Sequence, residues 1–95
     1  MEYLGFSWAA SVRRHRISRA QSRHVVEYAG LFFVRPASPP ERPDEALLFL
    51  GDDAEGNRLE VVGVKLDNER LRVIHAMPMR ARYEALYEEA KQWRK

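Results

Sequence analysis

The chain contains no cysteine. That excludes a disulfide framework, and it excludes a zinc centre built on thiolates. Long apolar runs are also missing. The longest, Ala46–Leu50, is far short of the roughly 20 residues that cross a bilayer as a helix. Met1–Phe6 has no basic stretch followed by an apolar run, so no signal peptide is expected there. No membrane partner is expected, and the absence of cysteine fits a reducing, cytoplasmic setting. Histidine is scarce: His15, His24 and His75 stand far apart, not at metal-ligand spacing. There is no H-E-x-x-H, no glycine-rich phosphate loop and no G-x-S-x-G. No metal and no cofactor is therefore expected. Asp52, Asp53 and Glu55 lack the spacing of a calcium loop and read as the chemistry of a hairpin turn.

What is present suits one small domain. The chain has 95 residues, of which 45% are hydrophobic, enough for a single core and too apolar for a disordered chain. The net charge of +2 is unevenly placed. Residues 1–24 carry five arginines against one glutamate, residues 25–60 three against eight acids, and residues 61–95 eight cations against five. Both ends are basic and the middle is acidic. If the ends meet in space they form a surface suited to phosphates; otherwise this is ordinary solvated charge.

The spacing of apolar residues predicts an α+β domain in the order α-α-β-β-β-β-α. Ser7 is read as the cap of a helix reaching His15, with Trp8 and Val12 on one side. Ser18 caps a second helix that Gly30 ends, its apolar stripe formed by Ile17, Ala20, His24 and Tyr28 with Val25 beside it. Strands are expected at Leu31–Arg35, Ala46–Leu50, Leu59–Leu66 and Arg70–Met77, with the third apolar on both faces and hence central. Four of the five prolines fall between Pro36 and Pro43, which makes that stretch a stiff connector or a flap. Pro78 closes the last strand. Met79, Tyr83, Leu86, Tyr87, Ala90 and Trp93 recur at helical spacing over about 80–94 and predict a helix packed on the sheet. The turns at Gly51–Asn57 and Asp67-Asn68-Glu69 make hairpin-like strands and imply an antiparallel, four-stranded meander.

Two basic clusters could carry chemistry. Arg13, Arg14, His15 and Arg16 sit at a predicted helix end, where they can grip RNA phosphates or simply complement the helix dipole. Arg70, Arg72, His75, Arg80, Arg82 and Tyr83 follow the last strand. Strand alternation puts Arg70 and Arg72 on the solvent face with Ile74 and Ala76, and His75 on the apolar face with Leu71, Val73 and Met77. Arg80 and Arg82 open the last helix at the end that disfavours cations, a placement more easily tolerated with an anion nearby. A metal-free ribonuclease must activate a 2′-hydroxyl, stabilise a dianionic phosphorane and protonate the leaving 5′-oxygen. Histidine moves protons near neutral pH, arginine stabilises the developing charge, and tyrosine stacks a base or donates a proton. His75 is equally well read as a hydrogen-bonded core histidine.

The stretch Trp8…Arg14-His15-Arg16-Ile17-Ser18 resembles the "W-D…K-H-G-I-S" opening of BrnT-type toxins, with Ala9 and Arg16 in place of the aspartate and glycine. Leu48–Gly51, Asn57–Val64 and Arg70–Ala76 are similar to the family's strand pattern "G…G-R-L-L-V-V…R-I-I-S-A-R", with Met77 and Pro78 where basic residues usually follow. The resemblance covers most of the chain. It implies a RelE-like fold and a metal-independent endoribonuclease acting as the toxin of a toxin–antitoxin pair. A cognate antitoxin is implied as partner, with a possible oligomer formed through it. By position it makes His15, Arg72 and Arg80 candidates for catalysis, beside His75. Arg13, Arg14, Arg16, Arg82 and Tyr83 are then candidates for RNA binding. A non-catalytic protein- or nucleic-acid-binding module of the same fold is the alternative. A DNA-binding regulator is disfavoured, because the second helix carries few cations on one face after Arg23.

Overall fold

The computed structural model describes residues 3–28, 32–35, 46–66 and 69–92. The strands are β1 (Gly5–Trp8), β2 (Phe32–Arg35), β3 (Ala46–Asp52), β4 (Arg58–Leu66) and β5 (Arg70–Pro78). A 3₁₀ helix spans Ala10–His15, and the α-helices are α1 (Arg19–Tyr28) and α2 (Ala81–Gln92). One five-stranded sheet has the order β1-β5-β4-β3-β2. The α+β class is as expected, and β4 is the central strand. The expected connector at Pro36–Asp44, the Gly30 stop and Trp93 lie outside the described residues.

Two expectations are corrected. There are not two N-terminal α-helices, because Ser7 is not a cap: it lies inside β1. Gly5-Phe6-Ser7-Trp8 alternates, so Phe6 and Trp8 share one face, their rings stacked with centroids 5.8 Å apart. The sheet is also not wholly antiparallel. β1 runs parallel to β5, Gly5 opposite Arg70 through Trp8 opposite Val73, while the other three pairings are antiparallel. Parallel neighbours need a long crossover, and here residues 9–69 separate them. Beyond Trp8 the chain leaves the sheet: Ala9 N–H donates to Val73 O at 2.8 Å, and the 3₁₀ helix begins.

A β-bulge sets which side chains of β5 face which layer. Val62 is opposite His75 but Gly63 is opposite Val73, so Ile74 is the unpaired extra residue. Strand alternation therefore breaks there. Leu71, Val73 and Ala76 join one core with Val12, Val25, Val26, Phe49, Leu59 and Val61 under α1. Ile74 turns to the other face, where Leu48, Leu50, Val62 and Tyr87 are buried with Met79 and Tyr83 beside them under α2. His75, paired with Val62, shares that second face. It does not point with Leu71 and Val73, as unbroken alternation required. Gly63 is needed beside the bulge: a Cβ there would meet the Leu71 side chain at 2.9 Å.

Helix α1 begins with a reciprocal capping box. Gln21 N–H donates to Ser18 Oγ at 3.0 Å, and Ser18 N–H donates to Gln21 Oε1 at 2.8 Å. Its buried face is Ser22, Val25 and Val26, rotated from the expected stripe; Ala20 is exposed and Tyr28 is 72% exposed. The polar Ser22 is buried because it is satisfied: Trp8 Nε1–H donates to its Oγ, which donates to Arg19 O, both at 3.0 Å. On the other face Tyr87 anchors α2, its hydroxyl donating to Asp52 Oδ1 at 2.8 Å. Burial and that carboxylate push its pKa up to about 12. Leu86, expected in the core, is at the rim, 36% exposed.

These placements separate two leucines. Leu50 has no exposed surface, so Leu50→Ala should cost about 2–5 kcal/mol, while Leu86→Ala should cost less than about 1 kcal/mol in urea denaturation. Equal losses would show that α2 lies on the sheet through a different face.

Candidate active site

The site is built around an acid that the sequence pattern hides. Glu60 lies in the middle of β4, between Leu59 and Val61, and has no exposed surface. It faces α2, opposite Met77 on β5 and Leu50 on β3. A buried carboxylate is costly unless paired and hydrogen-bonded, and Glu60 is both. Its Oε1 accepts from His75 Nε2 at 3.0 Å, from Arg80 Nε at 2.9 Å and from Arg80 Nη2 at 2.6 Å; its Oε2 accepts from the Arg80 backbone N–H at 3.0 Å. Burial alone would raise its pKa, but the bonds from Arg80 and His75 outweigh that and hold it below the usual glutamate range. The carboxylate is thus an ionised acceptor. His75 Nε2 must donate to it, which leaves Nδ1 as the imidazole nitrogen open to other partners.

The 3₁₀ helix brings the second histidine. β1 covers β5 only as far as Val73, and the 3₁₀ helix packs against β5 beyond that point. At its last residue, the His15 ring stands edge-on to the His75 ring, centroids 5.9 Å apart. The two basic ends of the chain therefore do meet, at this histidine pair. Arg16 follows with φ +60°, a left-handed conformation uncommon for a residue with a Cβ. It is the position at which the resembled motif has glycine, and it turns the chain back toward α1.

Around this pair the expected residues divide. Arg80, with its side chain 39% exposed, is anchored on Glu60, and its guanidinium carbon lies 5.6 Å from the Tyr83 ring centroid. Arg82 lies 4.8 Å from the same centroid, so two guanidinium groups lie close to the Tyr83 ring. The anion that makes Arg80 tolerable at the start of α2 is the protein's own Glu60. Arg72 is exposed on β5, opposite Ser7 and Val64, on the face that carries His75 but outside the Glu60 cluster. Arg16 is exposed. Arg13 and Arg14 belong to the 3₁₀ helix, and their side chains lie outside the described residues. His24 is remote, its ring tilted against that of Tyr28 with centroids 4.7 Å apart.

Asp53 is the second buried acid, and it is structural, as the turn reading had it. It accepts from the backbone N–H groups of Glu55 and Asn57, from Asn57 Nδ2 and from Gln21 Nε2, all at 2.9–3.0 Å. It closes the β3–β4 hairpin and ties it to the first turn of α1. The bonds from Gln21 and Asn57 hold its carboxyl well below the usual range. Among the described residues no group of three or more His, Cys, Asp or Glu could hold a metal ion, and no helix is long and apolar enough to cross a membrane. No protein-family model, no curated protein and no solved structure matches the chain.

Both depressed carboxylates stabilise the fold above their unfolded pKa values, near 4, and that stabilisation is lost as pH falls through the lower folded values. The melting temperature should thus drop steeply from about pH 5 down to pH 2. Glu60→Gln and Asp53→Asn should each lower it at pH 7 and flatten that acid limb. A wild-type curve that is flat from pH 7 to pH 3 would contradict these bond networks.

Proposed function

We propose that this protein is a metal-independent endoribonuclease, acting as the toxin of a toxin–antitoxin pair of the BrnT-like kind, with RNA as substrate and a cognate antitoxin as partner. The observation that carries the reading is the pairing of His15 with His75, two residues 60 positions apart, one of them oriented by a buried carboxylate. Cleavage of RNA without a metal needs two proton transfers. A base removes the 2′-hydroxyl proton as that oxygen attacks the adjacent phosphorus, and an acid protonates the 5′-oxygen as its bond to phosphorus breaks. The products are a 2′,3′-cyclic phosphate and a free 5′-hydroxyl. Two imidazoles side by side supply both groups. His75 is suited to be the base through Nδ1, since Glu60 occupies Nε2, and His15 to be the acid. Arg82 and the exposed part of Arg80 supply positive charge for the phosphorane. Tyr83, beside them, offers a ring for an unstacked base. Arg16 and Arg72, both exposed, add to the positive charge, and Arg13 and Arg14 are further candidates for RNA binding.

One observation favours the alternative, a non-catalytic binding module. Arg80 spends its Nε and Nη2 donors on Glu60, and the cluster ties β4, β5 and the start of α2 together as a purely structural strut would.

Cleavage of a long single-stranded RNA in EDTA decides between them. The wild type should cleave it to cyclic-phosphate ends, and expression should arrest growth unless the antitoxin is co-expressed. His15→Ala and His75→Ala should each slow cleavage by about 10²–10⁴-fold. A folded wild type that neither cleaves RNA nor slows growth would leave the binding module as the reading. Full activity in both histidine variants would remove the acid–base roles.

A further inference from the structure

A well-formed cavity lies apart from the histidine pair, which is not among its lining residues. It has a volume of about 550 Å³ and lies between the end of β1, the 3₁₀ helix and the start of α1, lined by Trp8, Ala9, Ala10, Val12, Ile17 and Arg19 among others. We propose that it is a nucleobase subsite, which receives the base of the nucleotide whose phosphate lies at His15 and His75; this rests on the ribonuclease reading above.

Three observations lead to it. First, the wall chemistry suits a planar, weakly polar ring. The lining is small and apolar at Ala9, Ala10, Val12 and Ile17, with Trp8, Arg19 and the small polar Ser18 beside them. The Arg19 guanidinium carbon is 5.2 Å from the Trp8 ring centroid. Arg19 is exposed and forms no ion pair among the described residues. A guanidinium laid on an indole has one planar face still open, and unstacked bases pack on such planes as well as on aromatic rings.

Second, the cavity is joined to the histidine pair by a single turn of 3₁₀ helix. The chain leaves the wall at Val12 and returns to it at Ile17. The four residues between are Arg13, Arg14, His15 and Arg16. From Val12 to His15 is three residues of 3₁₀ helix, roughly 6 Å of rise. One turn thus has an apolar end at the cavity and a basic, imidazole-bearing end at His75. A nucleotide has the same polarity, with a flat ring at one end and a phosphate at the other.

Third, the shape of the wall depends on the left-handed backbone at Arg16, which sends Ile17 back into the cavity, and on the bond from Trp8 Nε1 to Ser22 Oγ, which fixes the indole. Both hold the subsite in place without a ligand.

The indole N–H resonance of Trp8 and the ring resonances of His15 and His75 report the two ends separately. The full-length protein is titrated with AMP, GMP, CMP and UMP, and with inorganic phosphate. Nucleotides should move the Trp8 resonance saturably, with one base preferred; phosphate alone should move only the histidines. Arg19→Ala should weaken the response at Trp8 by roughly 5-fold or more, the loss expected for one stacked base. Ala10→Leu, a filling change at an exposed position, should abolish that response while nucleotides still move the histidines. If nucleotides move His15 and His75 but never Trp8, or move nothing, the subsite is wrong. If Trp8 responds with base preference but the protein cleaves no RNA, the subsite stands and the ribonuclease reading falls.

Discussion

The structure depends on a carboxylate that has no contact with solvent. Placing Glu60 in the centre of β4 requires a constellation of donors around it, because an unpaired buried charge costs several kcal/mol. The sequence supplies them from two directions. His75 comes from the neighbouring strand, opposite Val62. Arg80 comes from the residue before α2, with both its guanidinium and its backbone N–H. The carboxylate therefore fixes three things together: the path from β5 to α2, the start of α2, and the orientation of one imidazole. A negative charge at a helix N-terminus is itself favourable, which helps α2 begin with Arg80 and Arg82 in its vicinity.

The β-bulge makes this arrangement possible. In an unbroken strand His75 would point with Leu71 and Val73 into the core under α1, away from Glu60. Inserting Ile74 as an unpaired residue rotates His75 to the α2 face. Gly63, whose missing side chain leaves room for Leu71, accommodates the irregularity on the partner strand. The short β1 contributes by stopping at Trp8: the edge of β5 beyond Val73 is left to the 3₁₀ helix, and His15 reaches His75 there.

Much of this was legible in the residues. The helix cap at Ser18, the central position of β4, the hairpin turn at Asp53 and the helix carrying Tyr87 each follow from local patterns that the fold keeps. His15, His75, Arg80, Arg82 and Tyr83 could be singled out by chemistry alone. Other features were hidden for physical reasons. β1 is four residues long and pairs in parallel with a strand more than 60 positions away, so no turn signals it. The bulge leaves no mark in a run such as Arg70–Met77, and alternation applied across it gives the wrong face for His75 and Ala76. Ser22 looks like a surface residue until Trp8 is placed beside it. Glu60 is hidden because the strand around it reads as apolar, yet that was the available signal: an acid inside a central strand demands partners, and the donors that reach it are His75 on the adjacent strand and Arg80 just before α2.

On this account His75 is one half of a proton-transfer pair because Glu60 claims its other nitrogen. The direct test is a long-range proton–nitrogen correlation spectrum of the imidazole rings at neutral pH. The account predicts that the neutral His75 ring carries its proton on Nε2, with Nδ1 bare, and that Glu60→Gln disturbs this preference. A neutral His75 found with its proton on Nδ1, or with the same tautomer balance in the wild type and in Glu60→Gln, would contradict it.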